Sequence, residues 1–470
     1  KAALKVGAEV ELEVEDVAFG GSGVARCEGL VCFVRFGVPG DVVRAVVRKK
    51  KRKHRECDIL EVIQPSPLRV EPRCAHFGDC GGCSFQNIKY EEQLRFKEKH
   101  VRDCIERIGG LRGVPVEPIV GMDDPWFYRN KMEYTFGQDA QRRDAQRQDG
   151  EIALGLKRRG RFDRVVDVEE CFLQSPVSNR LLAAVRELAR GWGLPPYNPR
   201  THEGFLKNLA VRVGSRRKDG GCAIMVCLVT ATGITPGEFP QINELKETIA
   251  RDFPEVKSLY RFRNPEVSGV AIAGEAELVA GAPHIEETIC GLRFRVSPGS
   301  FLQVNVRQAE NLYEKIVEFA GLTGGERVVD LYTGAGPIAL LLARGAREVV
   351  GVESVEEAVR DARFNAEANG VGNVQFVAGA AEKVLGEVLE AGKPDLVVAD
   401  PPRAGIHPKA LKALLKNPPA RMVYVSCNPS TLARDLQSLT ESGYSLKAVH
   451  PIDMFPHTAH VESVTLLERS

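Results

Sequence analysis

Cys427 lies in Tyr424-Val425-Ser426-Cys427-Asn428-Pro429, a thiol between polar residues where an apolar run meets a proline turn. A lone cysteine is more often core packing than a nucleophile. The C-terminal lip of a parallel strand, however, is where open sheets bind their ligands. A thiolate there suits attack on an electron-poor ring. Downstream, Asp453, His457, His460 and Glu462 crowd into one short segment. Either histidine alone is unremarkable, but a carboxylate beside a nucleophile is placed to act as a base.

A second constellation starts at Val328-Val329-Asp330-Leu331, which runs into Tyr332-Thr333-Gly334-Ala335-Gly336-Pro337. Glycines at a strand-to-helix turn let a ligand approach the backbone closely. Glu353 ends the following strand, where a carboxylate can accept both hydroxyls of a ribose. Gly-x-Gly-x-x-Ala suits a dinucleotide as well as a nucleoside methyl donor. Asp400-Pro401-Pro402-Arg403, after the apolar Leu396–Ala399, decides for S-adenosylmethionine (SAM). Many nucleic-acid methyltransferases carry an acid followed by two prolines in that place.

The third constellation is Cys74-x5-Cys80-x2-Cys83. Thiolates suit zinc and iron–sulfur clusters alike. The asymmetric spacing and the lack of a second Cys-x2-Cys disfavour a zinc ribbon, and the Cys-x3-Cys-x2-Cys of radical enzymes is absent. Gly78, Gly81 and Gly82 free the backbone to wrap a bulky group.

These residues need elements to position them. The 470 residues suit about three domains. With Lys+Arg 64 against Asp+Glu 63, the net charge of +1 excludes a uniformly basic binder and an acidic tail. No apolar run approaches the ~18 residues that span a bilayer, and the first residues do not form an apolar signal core. A soluble, cytoplasmic protein is expected, with no membrane partner. Twelve cysteines in such a chain are expected to be thiols rather than a disulfide framework.

Residues 1–65 read as an OB-like β-barrel of about five short strands. Val6, Val10, Leu12 and Val14 alternate with polar residues, Gly20-Gly21-Ser22-Gly23 turns the chain, and Val42–Val47 and Cys57–Ile63 complete the set. From it projects Arg48-Lys49-Lys50-Lys51-Arg52-Lys53-His54-Arg55, seven of eight residues cationic, read as a finger that contacts phosphates rather than a solvated hairpin. Pro65-Ser66-Pro67 is a linker. Residues 66–290 read as a mixed α/β domain carrying the cysteine loop, a helix from Tyr90 to about Ile108, and a second basic tract over Gln141–Arg164. From 291 to 470, strands at Arg327–Leu331, Glu348–Val352, Val374–Val377, Asp395–Ala399 and Met422–Ser426 alternate with helices. That order predicts a doubly wound, Rossmann-like sheet. No internal repeat is present.

Taken together the motifs resemble the uracil-5 RNA methyltransferase family, almost end to end. They resemble its branch with an N-terminal TRAM domain and an iron–sulfur cluster, which methylates ribosomal RNA. The matching segments are Gly20–Ala25, Val38–Asp41, the Cys74/Cys80/Cys83 set, Ser300–Asn305, Asp330–Gly336, Asp400–Gly405, Ser426–Pro429 and His460–Glu462. The resemblance implies Cys427 as nucleophile and Glu462 as base. It implies Gln303, Tyr332, Glu353 and Asp400 as ligands of SAM, and Cys74, Cys80, Cys83 and the distant Cys171 as ligands of a [4Fe-4S] cluster. It implies RNA as partner, 23S rRNA before tRNA, and a monomer. Arg403 is the cation expected to lower the Cys427 thiol.

Two residues depart from the family pattern. Pro337 replaces a polar residue after the second glycine, and Ala380 stands where a polar side chain often meets the adenine, with Glu382 a substitute. Two rival readings remain. An amine methyltransferase acting through Asp400-Pro-Pro would carry an aromatic residue where Arg403 stands. An RNA chaperone on an inactive fold would have no use for Cys427 and Glu462.

Overall fold

The computed structural model describes residues 4–138, 152–216, 221–233, 239–267 and 272–469. The first part of the basic tract expected at Gln141–Arg164, including Arg142, Arg143 and Arg147, lies outside the described residues.

Strands β1 (Glu9–Val17), β2 (Gly23–Cys27), β3 (Leu30–Arg35), β4 (Val42–Lys50) and β5 (His54–Gln64) close into a barrel in the order β1-β2-β3-β5-β4. Alternation drives it: Leu12, Val14, Val43, Ala45 and Val47 all point inward and are buried. Strand β1 starts after Gly7, later than the Val6 expected, because Gly7 sits at φ 88 and turns the chain. The Val38–Asp41 turn is held by the buried Asp41, which accepts from Val38 N at 2.7 Å and Ser66 N at 2.9 Å and pairs with Arg69. Burial opposes the charge of Asp41, but these donors outweigh it and hold the carboxyl below its usual range.

The cationic run is less of a finger than its composition suggests. It is the tip of the β4–β5 hairpin. Arg48 pairs with Asp58 at 3.0 Å and Lys49 with Glu56 at 2.8 Å. Arg55 is buried, its guanidinium donating to the carbonyls of Leu4, Lys51 and His54. The exposed cations at the tip are Lys50, Lys51, Arg52 and Lys53.

Helix α1 (Tyr90–Arg107) follows the cysteine loop. The central sheet has the order β12-β11-β10-β9-β6-β7-β8. Its strands are β6 (Lys131–Gln138), β7 (Ile152–Lys157), β8 (Val165–Asp167), β9 (Leu206–Arg216), β10 (Cys222–Thr230), β11 (Val256–Arg263) and β12 (Glu275–Gly281). Only β10 and β11 run parallel, joined by α3 (Gln241–Asp252), while α2 (Pro176–Trp192) buries Leu181, Leu182 and Val185 against the sheet. The hairpin of β13 (Ile285–Ile289) and β14 (Leu292–Val296) shares one core with α4 (Val306–Ala320) and the last sheet.

That last sheet has the order β17-β16-β15-β18-β19-β21-β20. Strands β15 (Arg327–Leu331), β16 (Glu348–Glu353), β17 (Val374–Ala378), β18 (Leu396–Ala399) and β19 (Arg421–Ser426) are parallel, as expected. Between them run α5 (Pro337–Leu342), α6 (Glu356–Ala368), α7 (Ala381–Glu390) and α8 (Pro408–Lys416), with α9 (Pro429–Glu441) leading to β20 (Tyr444–Ile452). Strand β21 (Glu462–Arg469) inserts antiparallel between β19 and β20. The order reverses between β15 and β18, which opens a crevice at their C-terminal ends. Val101 and Ile105 of α1 lie in the core of this sheet, so packing crosses from the cysteine region into the C-terminal layer. Among the described residues, no helix is long and apolar enough to cross a membrane.

Candidate active site

The crevice begins at the turn after β15. Tyr332, Gly334 and Gly336 all hold positive φ, at 66, 57 and 89°. A Cβ on Gly336 would press Phe376 at 3.1 Å, so the left-handed turn and the close approach both call for glycine. Tyr332 and Thr333 donate their N–H groups to the Val352 carbonyl, and Gly334 donates to Glu353 Oε2 at 3.1 Å. Glu353 Oε1 accepts from Val355 N at 2.8 Å. Pro337 opens α5, the one helical position where a missing N–H costs nothing, which accounts for that departure. Ala380 is the residue before α7 and caps it with no side chain; Glu382 lies in the first turn. Half-buried Tyr332 accepts at its hydroxyl from His407 N at 3.5 Å.

Asp330, one residue upstream of this turn, was not singled out as a site residue from sequence. Its side chain is fully buried and one oxygen accepts from Thr333 Oγ1 at 2.5 Å; the other, Oδ1, has no hydrogen-bond partner. Burial, with the charges of Asp400 and Glu353 nearby, pushes its carboxyl up to about 7. An acid inside the apolar run Val328–Leu331 is the signal that could have found it.

Asp400 follows β18. It keeps some solvent contact but is enclosed enough that desolvation pushes its carboxyl up to about 7. The loop it starts is held by α9: Asn428 and Thr431 donate to the Arg403 carbonyl, and Asp435 accepts from Ile406 N at 3.0 Å. Gly405, at φ 86, would set a Cβ at 2.4 Å from Asp435 Oδ2.

Cys427 is half-buried at the end of β19, in a turn fixed by Ser426, whose hydroxyl accepts from Asn428 N at 3.1 Å, and by Asn428, which caps α9. Ser426 of β19 stands opposite Ser463 of β21, so one further step of the antiparallel register brings Cys427 opposite Glu462. Glu462 is buried. The thiol is pushed up to about 11 by burial and by the charge of Glu462; Arg403 opposes and Asp400 adds to the rise. Burial, then Asp400, likewise pushes Glu462 well above the usual carboxylate range. The expectation for Arg403 therefore holds in sign but not in outcome: its charge favours the thiolate, and burial outweighs it. Burial thus favours the protonated forms of both groups in the ligand-free site.

The segment before Glu462 is braced by the N-terminal half of the chain. Lys97 of α1 and Asp453 form an ion pair at 2.5 Å with both side chains fully buried, and Tyr90 donates to the second Asp453 oxygen at 2.8 Å. His457 stacks on Trp126 at 3.8 Å between ring centres, and burial with the nearby Lys97 charge pushes it down to about 3. His460 keeps solvent contact, yet crowding by protein and the charges of Arg403, Lys97 and Arg129 push it down to about 4. Both imidazoles are neutral. Gln303 is buried just before α4; Asn130 donates to its carbonyl at 3.3 Å, and the next-but-one residue, Asn305, donates to Met454 O at 3.0 Å. Gln303 thus belongs to the wall that carries Asp453.

Cys74, Cys80, Cys83 and Cys171 line one cavity of about 520 Å³, although Cys171 is remote from the others in sequence. Burial raises all four thiols, Cys80 to about 11 and Cys83 to about 12, and their mutual proximity adds to it. Gly82 N donates to the Cys80 sulfur at 3.4 Å and the Gln86 amide to the Cys83 sulfur at 3.2 Å. Among the described residues, no three His, Cys, Asp or Glu side chains converge closely enough to hold a single metal ion.

The family model described as tRNA (Uracil-5-)-methyltransferase matches residues 269–470, and that of the TRAM domain matches residues 3–54. An uncharacterized RNA methyltransferase of Bacteroides thetaiotaomicron is 42% identical over 95% of this chain and 99% of its own. Another, of Halalkalibacterium halodurans, is 41% identical over 98% and 96%. Among solved structures, the tRNA (uracil-54, C5)-methyltransferase of Pyrococcus abyssi, in complex with S-adenosyl-L-homocysteine, superposes with a TM-score of 0.74 at 30% identity. It covers 97% of this chain and 99% of that one. A closed N-terminal barrel, a methyltransferase sheet and relatives matched over nearly their full length lead to one conclusion: the chain belongs to the uracil-5 RNA methyltransferase family.

Proposed function

We propose that this enzyme methylates carbon 5 of a specific uridine in RNA, with SAM as donor, through a covalent bond between Cys427 and carbon 6 of the base. The observation that carries this is the pairing of Ser426 with Ser463, which brings the adjoining Cys427 and Glu462 to one end of β19 and β21, within reach of the charges of Asp400 and Arg403. Carbon 5 of uracil is a poor nucleophile. Attack by the thiolate on carbon 6 moves the ring π electrons onto oxygen 4 as an enolate, which makes carbon 5 electron-rich. When bound, the donor supplies an electrophilic methyl group on a positively charged sulfonium. Glu462 then takes the proton from carbon 5, the C–H electrons restore the ring double bond, and the Cys427 thiolate leaves. The uridine must first leave its stack.

The residues fit such a donor. Tyr332, Glu353 and Asp400 stand at the C-terminal ends of β15, β16 and β18, where an open parallel sheet takes its ligand, and we assign them with Gln303 to the donor. A cationic donor bound in this crevice would favour the ionised forms of Asp400 and Glu462, and with them the form of the base that takes a proton. The direct test is RNA carrying 5-fluorouridine, because fluorine cannot leave as a proton does. A Cys427-dependent adduct that survives denaturing electrophoresis is expected. No adduct means that the covalent route is wrong.

The four thiols fit a [4Fe-4S] cluster: they surround a cavity rather than a point, and N–H groups of Gly82 and Gln86 face two of the sulfurs. Methyl transfer needs no electrons from it, so its part is to tie segments together. The barrel and thiol set together favour 23S rRNA as substrate, while the Pyrococcus abyssi relative favours tRNA. Mapping 5-methyluridine in both RNAs of a deletion strain decides between them. Nothing in the chemistry asks for a second copy, and the reading is a cytoplasmic monomer.

A further inference from the structure

We propose that a single strand of the RNA substrate is gripped by its phosphates in a four-arginine hollow between the barrel and the central sheet, with bases stacked on exposed aromatics at either side. This rests on the RNA reading above. The hollow is lined by Arg48 of β4 and by Arg158, Arg161 and Arg164 of the β7–β8 turn. It brings together the two basic stretches of the sequence, one from each domain, although neither end of the chain between them hints at contact. On the barrel side Arg48 also lines a groove with Phe19, Phe33 and His54. On the other side Arg161 and Arg164 line a cleft of about 480 Å³ with Phe162, Tyr197 and Arg200. The three hollows therefore adjoin one another at Arg48, Arg161 and Arg164.

Charge and aromatic placement both suit single-stranded RNA. Around the hollow, Asp58 is shared by Arg35 and Arg48, and Asp163 by Arg161 and Arg200, while Asp79 pairs with Arg158. With Arg164, which is exposed, six guanidinium groups stand against these three carboxylates. Guanidinium forks match phosphate oxygens bidentately. Phe162 is 61% exposed and Phe19 45%, and Arg200 lies over the Phe162 ring at 5.7 Å. Large aromatic rings left open beside arginines are the platforms on which unstacked bases settle, at a gain of about 1–3 kcal/mol per base.

The test is the binding of a fluorescein-labelled single-stranded oligouridine RNA to the full-length protein, by anisotropy across a salt series. Arg48→Ala with Arg164→Ala is expected to weaken binding tenfold or more and to flatten the slope of log K against log salt by about 1.4, at ~0.7 per phosphate released. Lysine at both positions keeps most of the slope. Phe162→Ala is expected to lose about tenfold in affinity with the slope unchanged. All these side chains are exposed, so melting temperatures report that the fold is intact. Unchanged affinity and slope in the double alanine variant, with wild-type protein still methylating RNA, overturns the proposal. Variants behaving as stated in a wild-type background that transfers no methyl group support the hollow and overturn the methylation reading instead.

Discussion

At the scale of single residues, the site holds Asp330 and Glu462 buried and Asp400 largely enclosed. Cys427→Ala should abolish methyl transfer while calorimetry still shows donor binding, because the donor wall is built from other strands. Glu462→Gln should permit transfer but stall elimination, and accumulate a methylated, Cys427-dependent protein–RNA adduct on denaturing gels. Asp330 makes a separate prediction. Its folded pKa of about 7 exceeds the 3.8 of a free Asp carboxyl, so between those two values the folded state binds more protons than the unfolded one. Stability then falls as pH rises through that window, by up to about 4 kcal/mol from this group alone. Asp330→Asn removes the titration. Its melting temperature relative to wild type should climb from pH 4 to pH 8 in ligand-free protein, while donor affinity drops. A difference that is flat with pH would remove the linkage argument. Cys427, Glu462 and Asp400 were legible in sequence because motif order exposes them. That burial would raise all three was not, since burial is a sum over distant elements.

At the scale of elements, the base segment depends on a helix remote from it in sequence. The span Tyr90–Ile108 was legible as a helix, and the buried face of α1 repeats polar residues at Gln93, Lys97 and His100. That spacing was the available sign that α1 meets something polar. What it meets, Asp453, could not be read, because β21 reaches its place only by inserting antiparallel between β19 and β20. The same insertion brings Glu462 to the end of β19 where Cys427 stands, which no local pattern encodes. The parallel strands were legible since each is an apolar run bounded by turn residues. Lys97→Met leaves Asp453 buried without its cation, and should cost about 3–5 kcal/mol in chemical denaturation. Lys97→Met with Asp453→Leu should recover much of that stability. Recovered stability without recovered activity would show that the pair holds the base segment in place rather than merely holding the fold.

At the scale of the molecule, the buried cores are laced together by segments that cross between them: Ala210, Met225 and Phe262 of the central sheet share one cluster with α4 and the last sheet. The cysteine loop is the clearest lace. Arg158 of the central sheet pairs with Asp79, and Gly81 N donates to the Lys157 carbonyl at 3.1 Å. The loop then runs directly into Ser84 and Phe85, whose N–H groups both donate to the His457 carbonyl, while Ser84 Oγ accepts from Ala459 N at 3.1 Å. A group bound by the four thiols would therefore anchor the segment that leads to Glu462. Protein purified without oxygen should be brown and carry about four irons per chain, the count for a four-thiolate cubane. Cys171→Ser should lose iron and colour although it is remote from the other ligands in sequence. Its amide hydrogens at 84–86 and 457–460 should exchange faster than those of the loaded protein, while those of the barrel stay unchanged. Stoichiometric zinc in place of iron would end the cluster assignment. Iron loss with unaltered exchange at 457–460 would keep the cluster but sever it from the base segment.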